Sequence, residues 1–297
     1  GVYVKDSVDI QFHGLSVTDP GNAALAVEVD NANLNFNGWV DIHGLDIQAN
    51  RTGPVFQLVD TEARISGVRL NGAHNGMVWD GREVSLTSSL SDVVLSGSNC
   101  LEFTDLHLVE AVDIDVSACT GQINFRDSTV NMSNSIQGTS VTFDMTGQPS
   151  TLRWIDSGDL GTLNVGVGSL VDEMWSLHVW ATNQHNHGLP NAIVNLSFNQ
   201  FEADQTHTLP YSGHTIIGPF SAQQTDWMGA SAWTEYWVGC EYEGERTDSG
   251  QSEPIPTNRV PNFSSPLVIC EITLTNQAPL IIWESPLDDD VFGSGAI

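Results

Sequence analysis

From residue 8 to about residue 167 the chain alternates apolar and polar side chains in short runs, each cut by Gly, Asp, Asn or Ser, and no stretch holds a helical period. The segment Asn-Leu-Asn-Phe-Asn at 33–37 shows the unit: in an extended strand Leu34 and Phe36 would point to one side and the three asparagines to the other. The runs group into triplets: 8–12, 15–17 and 24–29; then 32–36, 45–47 and 55–59; then 63–65, 68–70 and 76–80; then 83–87, 93–95 and 99–103; then 106–109, 112–116 and 122–125; then 129–133, 140–144 and 150–155. Successive triplets advance by roughly 22 to 31 residues, the length of one coil of a three-sided β-solenoid. A single coil cannot bury its apolar row alone, but stacked coils bury it as ladders of Val, Ile, Leu and Phe. Corners between faces need residues that tolerate a left-handed backbone, and Gly14, Gly44, Gly67, Asp92, Asp105 and Asp127 are predicted there.

Residues 11–17, QFHGLSV, return as DIHGLDI at 41–47, so that His13, Gly14 and Leu15 are echoed by His43, Gly44 and Leu45. The interval is one coil, which places both histidines at equivalent corners of a scaffold. The periodicity resembles the right-handed parallel β-helix of pectate-lyase-like and surface-adhesin proteins, over about the first 170 residues. In polygalacturonase-like members of that group the resemblance would imply an Asn-x-Asp element, an Asp-Asp pair, Gly-His-Gly and Arg-x-Lys. Here His13 and His43 lack the preceding glycine, and residues 1–170 hold neither an Asp-Asp pair nor Arg-x-Lys. A lyase would need an arginine or lysine base beside calcium-binding aspartates, and Lys5, Arg51, Arg64, Arg69, Arg82, Arg126 and Arg153 form no such cluster in sequence. The expectation is a protein that is not an enzyme.

Beyond Met174 come six of the nine tryptophans and longer apolar runs. The stretch 177–199, with Gly188, Pro190, Ala192 and Val194, resembles the opening of an immunoglobulin-like or carboxypeptidase-regulatory-like β-sandwich. The segments HTLPYSGHTIIGPF, TEYWVGCEYEGE and PLVICEITLTN would supply its later strands. The expected fold is therefore all-β: a right-handed three-sided parallel β-helix over 1–172 and an immunoglobulin-like β-sandwich over 173–277. The last residues, 278–297, form an apolar strand or linker that opens a further repeat or is donated to a neighbour.

Charge narrows the partners. Nine Lys and Arg stand against 37 Asp and Glu, for a formal net charge of -28. This argues against nucleic acid and against anionic membranes, both of which reward Lys and Arg. No apolar run reaches the length that spans a bilayer, and the first residues lack the charged-then-apolar pattern of a leader, so a mature or excised segment is expected. Four cysteines without a C-x-x-C spacing suggest two local disulfides, Cys100 with Cys119 and Cys240 with Cys270, in an oxidising compartment. Sequons at Asn50, Asn131, Asn195 and Asn262 suit that setting as candidate glycan sites.

Calcium is the cofactor that so many carboxylates would suit, with Asp288, Asp289, Asp290 and the alternating Glu241, Glu243 and Glu245 as candidate ligands; a solvated acidic surface is the competing reading. His185 and His187 flank Asn186 in a polar loop and could hold zinc or copper given a third ligand, with His207 and His214 further along. Two carboxylate pairs, Asp113 with Asp115 and Asp156 with Asp159, have the spacing of acid–base partners but also of chance neighbours on an acidic chain. Trp175, Trp180, Trp227, Trp233 and Trp237 could stack on sugar rings where exposed, and one or two are expected outside a core. Together these features predict an extracellular or cell-surface structural and adhesive module. It would partner itself, neighbouring surface-protein domains or glycans; polysaccharide binding or processing along the β-helix, and a trimeric viral fibre, are the alternatives.

Overall fold

The computed structural model describes residues 2–5, 9–18, 27–30, 38–48, 54–74, 76–197, 205–231, 237–242, 245–249 and 267–272. Every regular element among them is a β-strand; they form one 17-stranded sheet and one four-stranded antiparallel sheet. The large sheet winds into a β-solenoid of about six turns.

Three parallel ladders define its faces. On the first, Val2–Lys5 pairs with Val27–Asp30, then Phe56–Val59, then 77–80 and 101–104. Higher up the same face, 121–124 pairs with 141–144, and Val141–Met145 with Thr162–Val165. On the second, 39–43, 62–66, 89–91 and 110–112 lie in register, followed by Thr129–Ser133, Thr151–Ile155 and 170–174. The third runs through 45–48, 68–70, 93–95 and 114–115 to Ile136–Gln137. The strand Val2–Lys5 was not foreseen by the alternation, and Leu34 and Phe36 of the expected strand 32–36 lie outside the described residues. The expected strand 83–87 lies within the strand Met77–Ser98, whose register against the next coil shifts on either side of Val84.

Inward columns follow from the registers. Ile42, Ile65, Leu90, Ala111, Met132 and Trp154 stack on the second face and are all buried. On the first, Leu58, Trp79 and Phe103 stack, and the rings of Trp79, Phe103, Phe125, Phe143 and Trp154 continue in contact with centroids 5.5–6.1 Å apart. Each such ring contributes roughly 1.5–3 kcal/mol by leaving water. The indole N–H groups do not go unmet: Trp79 Nε1 donates to the Thr61 carbonyl at 2.9 Å and Trp154 Nε1 to that of Gly158 at 2.7 Å.

Between the second and third faces one residue per coil turns the chain, always with positive φ: Gly14, Gly44, Gly67, Asp92, Asp113, Asn134 and Asp156. Asp105 and Asp127 do the same between the first and second faces, joined by Asp60. All six corner residues named from sequence therefore adopt the left-handed backbone that motivated their choice.

The solenoid ends where this rule is broken. Ile155 is in register with Met174, which puts Trp175 over the corner residue Asp156. Trp175 is not among the positive-φ residues, as its bulk requires, and the strand Leu170–Asn183 runs straight on past the solenoid. The Asp156 carboxylate meets it by accepting from the Ser176 N–H and Oγ, each at 2.6 Å.

Strand His214–Asp226 pairs antiparallel along nearly the whole of Leu170–Asn183, covering the last solenoid rung at 171–174, and Leu267–Ile272 pairs parallel with its distal half. The four-stranded sheet comprises Gln205–Thr208, Ile193–Ser197, Trp237–Tyr242 and Glu245–Ser249. A second apolar cluster joins the two sheets, with Trp175, Leu177, Val179 and Ala181 against Val194, Leu196 and Val238. The first cluster ends at Val171 and the second begins at Trp175, within one continuous strand.

Candidate functional site

The outer surface of the solenoid carries the residues that could meet a ligand, and its scarce cations are spent on neighbouring coils. Arg69 donates to Asp92 Oδ1 and to the Asp92 carbonyl, both at 2.7 Å; Arg126 approaches Glu102 at 3.8 Å. Asn131 donates to Glu110 Oε1 at 2.8 Å and accepts from Arg153 at 3.1 Å, a polar file across three coils. These groups are partly exposed, and such surface pairs contribute at most about 1 kcal/mol each.

His13 and His43 are paired in register and stacked, with ring centroids 5.3 Å apart, and both are exposed. His43 Nδ1 lies 2.6 Å from Ser66 Oγ on the next coil. The repeated His-Gly is thus one file of a scaffold. Asp113 is a positive-φ corner residue and Asp115 accepts from the Ser117 N–H at 2.9 Å, so the pair is committed to turning the chain. Asp156 is committed to Ser176, as described, while Asp159 is exposed.

His185 and His187 occupy an exposed loop with ring centroids 6.4 Å apart; their N–H groups both donate to Asn183 Oδ1, which organises the loop. Glu241 and Glu245 do not alternate along one strand: they lie on adjacent antiparallel strands, with Tyr242 paired to Glu245 and Glu241 to Arg246. Glu243 and Asp288, Asp289 and Asp290 lie outside the described residues. Among the described residues no group of three or more His, Cys, Asp or Glu is placed to hold a metal ion.

Cys100 and Cys119 are bonded to one another, and Cys240 is also disulfide-bonded; the side chain of Cys270 lies outside the described residues. Two sequons fall on strands with their amides engaged: Asn131 as above, and Asn195, whose Oδ1 accepts from Thr206 Oγ1 at 2.9 Å. Asn50 and Asn262 lie outside the described residues.

Among the described residues a groove and a pair of exposed tryptophans stand out. An open groove of about 720 Å³ follows the corner between the first and second faces over several coils, lined by Asp105, His107, Asp127, Thr129, Pro149 and Thr151. On the strands beyond the solenoid, Trp180 and Trp227 are exposed, whereas Trp175 is buried; the side chains of Trp233 and Trp237 lie outside the described residues. The outward set around Trp180 was readable from alternation: with Leu177, Val179 and Ala181 inward, His178 and Trp180 must face out.

A feature absent from the sequence reading is a file of buried serines at the corners, of which Ser128, Ser135, Ser157 and Ser169 directly follow a positive-φ residue. Ser128, Ser150 and Ser169 form one column: the N–H groups of Leu106, Ser128 and Ser150 donate to the Oγ of Ser128, Ser150 and Ser169 respectively, at 3.1–3.2 Å. A second column does this with Ser135 and Ser157, which accept from Ile114 and Ser135 at 3.3 and 2.9 Å. Ser128, Ser135 and Ser157 each donate to the carbonyl two residues back in their own coil. The signal was present as Asp127-Ser128, Asn134-Ser135 and Asp156-Ser157.

The fold defines an all-β protein built on a parallel β-solenoid. No family model, curated protein or solved structure matches the chain.

Proposed function

We propose that the chain is a stiff structural and adhesive module of an extracellular surface, with its second core an immunoglobulin-like sandwich that spaces or docks the rod. The observation that carries this reading is the stack of coils: three backbone ladders, an aromatic file and two serine columns run from coil to coil, so that bending the rod would break several cooperative arrays together. Bonded cysteines favour an oxidising compartment, and the net charge of -28 favours a salt-screened exterior. Strands Val2–Lys5 and Asp9–Thr18 each pair on one side only among the described residues, which offers an edge for self-assembly. Negative-stain microscopy and sedimentation of the full chain test this. Rods that associate into fibres or sheets as concentration rises are expected, and a compact monomer at every concentration would overturn the assembly. Adding a chelator asks separately whether calcium takes part.

The groove along Asp105, His107 and Asp127 favours a second reading, polysaccharide binding along the solenoid, since an elongated polar cleft matches an extended chain of sugars. Loss of oligosaccharide binding in His107→Ala would support it.

A further inference from the structure

The ladders of the solenoid do not end at one level. On the second face the last rung, 170–174, is covered by His214–Asp226, which pairs antiparallel along 171–174. On the first face the last rung is Thr162–Val165, which among the described residues pairs only with Val141–Met145. The step leaves a cleft of about 430 Å³ beside that strand, walled by Asn164 and Val165 and by the hairpin tip Asp226–Gly229. Trp227 and Met228 on the tip are 56% and 74% exposed, and Asp226 Oδ1 holds the tip by accepting the Met228 N–H at 2.7 Å. At the opposite end of the same face, Val2–Lys5 pairs only with Val27–Asp30 among the described residues. Val2 and Val4 begin the inward columns of this face, and Leu163 and Val165 end them. All four are half-buried, whereas Phe56, Leu58, Phe143 and Met145 in the same columns are buried.

We propose that Val2–Lys5 of a second copy of this chain adds to Thr162–Val165 as a parallel strand, joining solenoids head to tail; this rests on the self-assembly of the reading above and names its two surfaces. Direction selects this occupant first. Every rung of the first face runs parallel to its neighbours, so a copy shifted along the rod axis meets Thr162–Val165 in the direction the ladder already has. Register selects it next: continuing the alternation sets Val2 over Leu163 and Val4 over Val165, which covers all four half-buried side chains. Tyr3, itself 58% exposed, then lies opposite Asn164 in the cleft walled by Trp227 and Met228. A slip by one residue would set Tyr3 and Lys5 on the apolar columns instead. Charge agrees, since Val2–Lys5 holds the chain's one lysine and no carboxylate, while the cleft lining contributes Asp226 and no Lys or Arg. Two unlike ends that join in this way do not close on themselves, so the product is a filament. A rung of four residues is only about 13 Å long, well short of a standard interface, which makes the joint dependent on concentration.

The test is disulfide trapping between two variants of the full chain, Tyr3→Cys and Asn164→Cys, both at exposed positions, kept apart or mixed under mild oxidation. Residues paired across adjacent strands lie about 4.8 Å apart, within the roughly 4.4–6.8 Å between Cα atoms that a disulfide spans. A dimer of one Tyr3→Cys chain and one Asn164→Cys chain should be the main product of the mixture and should form in neither variant alone. Val2→Glu puts a charge on the joining edge and should raise the concentration needed for assembly about tenfold, while Tyr211→Ala, at a 91% exposed position outside both surfaces, should leave it unchanged. Tyr3→Cys cross-linking to itself would mean head-to-head pairing and would overturn the joint. Rods that associate under the microscope without the mixed cross-link would also overturn it, and would leave assembly through another surface standing. A chain that stays monomeric at every concentration would overturn the assembly and the joint together.

Discussion

Ser135 donates to the Ser133 carbonyl at 2.9 Å and accepts from the Ile114 N–H at 3.3 Å, so it replaces a rung of backbone hydrogen bonding where the chain has turned away from its neighbour. Replacing it with alanine removes only the hydroxyl and strands that N–H, so Ser135→Ala should cost about 1–3 kcal/mol in urea unfolding; an unchanged midpoint would show that water reaches the corner. Glycines separate into two kinds at the same scale. Gly44 has φ +76° but a Cβ there would meet nothing closer than 3.6 Å, so Gly44→Ala carries only the left-handed penalty of about 1–2 kcal/mol. Gly81 lacks a positive φ, yet its Cβ would lie 2.5 Å from the Asp105 carbonyl oxygen of the next coil, so Gly81→Ala should destabilise more than Gly44→Ala. Corners at Gly14, Gly44, Gly67, Asp92, Asp105 and Asp127 were legible because the backbone requirement selects residue type directly. Asp113, Asn134 and the serines were not, since on a chain rich in Asp, Asn and Ser their meaning appears only once the coils are in register.

Strand positions were legible where one face is buried and illegible where the corner or register is irregular. The alternation at 63–65, 68–70 and 93–95 survives intact inside the strands Thr61–His74 and Met77–Ser98, while around Val84 the pairing register slips, which the alternation did not announce. Adjacent faces share one strand because a single left-handed residue turns the chain without interrupting pairing, which no local pattern announces. The same logic explains the exit from the solenoid at Trp175, a residue that cannot take the corner conformation. Cross-coil contacts carry the stability of these elements. Phe103 is fully buried between Trp79 and Phe125, so Phe103→Ala should cost about 3–5 kcal/mol and leave neighbouring coils with a cavity. Cys100 and Cys119, 19 residues apart, close a loop of about one coil; Cys100→Ala with Cys119→Ala should lower unfolding free energy by about 3 kcal/mol on the chain-entropy account. A smaller loss in denaturant would mean that the stacked coils already restrict the unfolded chain at this point.

Across the whole molecule the candidate sites divide by how much geometry they need. The His-Gly file could be assigned to scaffold from its one-coil spacing alone, but the contact of Trp180 with His214 needed the pairing of two strands separated by more than thirty residues, which periodicity does not encode. Net charge acts on every part at once. A parallel solenoid repeats its outer residues at about 4.8 Å from coil to coil, so the corner carboxylates of Asp105 and Asp127 belong to neighbouring coils on one edge, and the ion pairs at Arg69 and Arg126 offset few such repulsions. Each like-charged neighbour costs somewhat under 1 kcal/mol in high dielectric when unscreened. Raising NaCl from about 0.01 M to 1 M shortens the screening length from about 30 Å to 3 Å, which removes most of this repulsion. The melting temperature should therefore rise over that range by several degrees, on a scale of roughly 2–4 °C per kcal/mol for domains of this size. A flat or falling curve would show that the acidic surface does not strain the fold. Calcium chloride at matched ionic strength separates screening from binding: an increment equal to that of NaCl assigns the carboxylates to a solvated surface, whereas saturation at sub-millimolar calcium requires a site that gathers several of them.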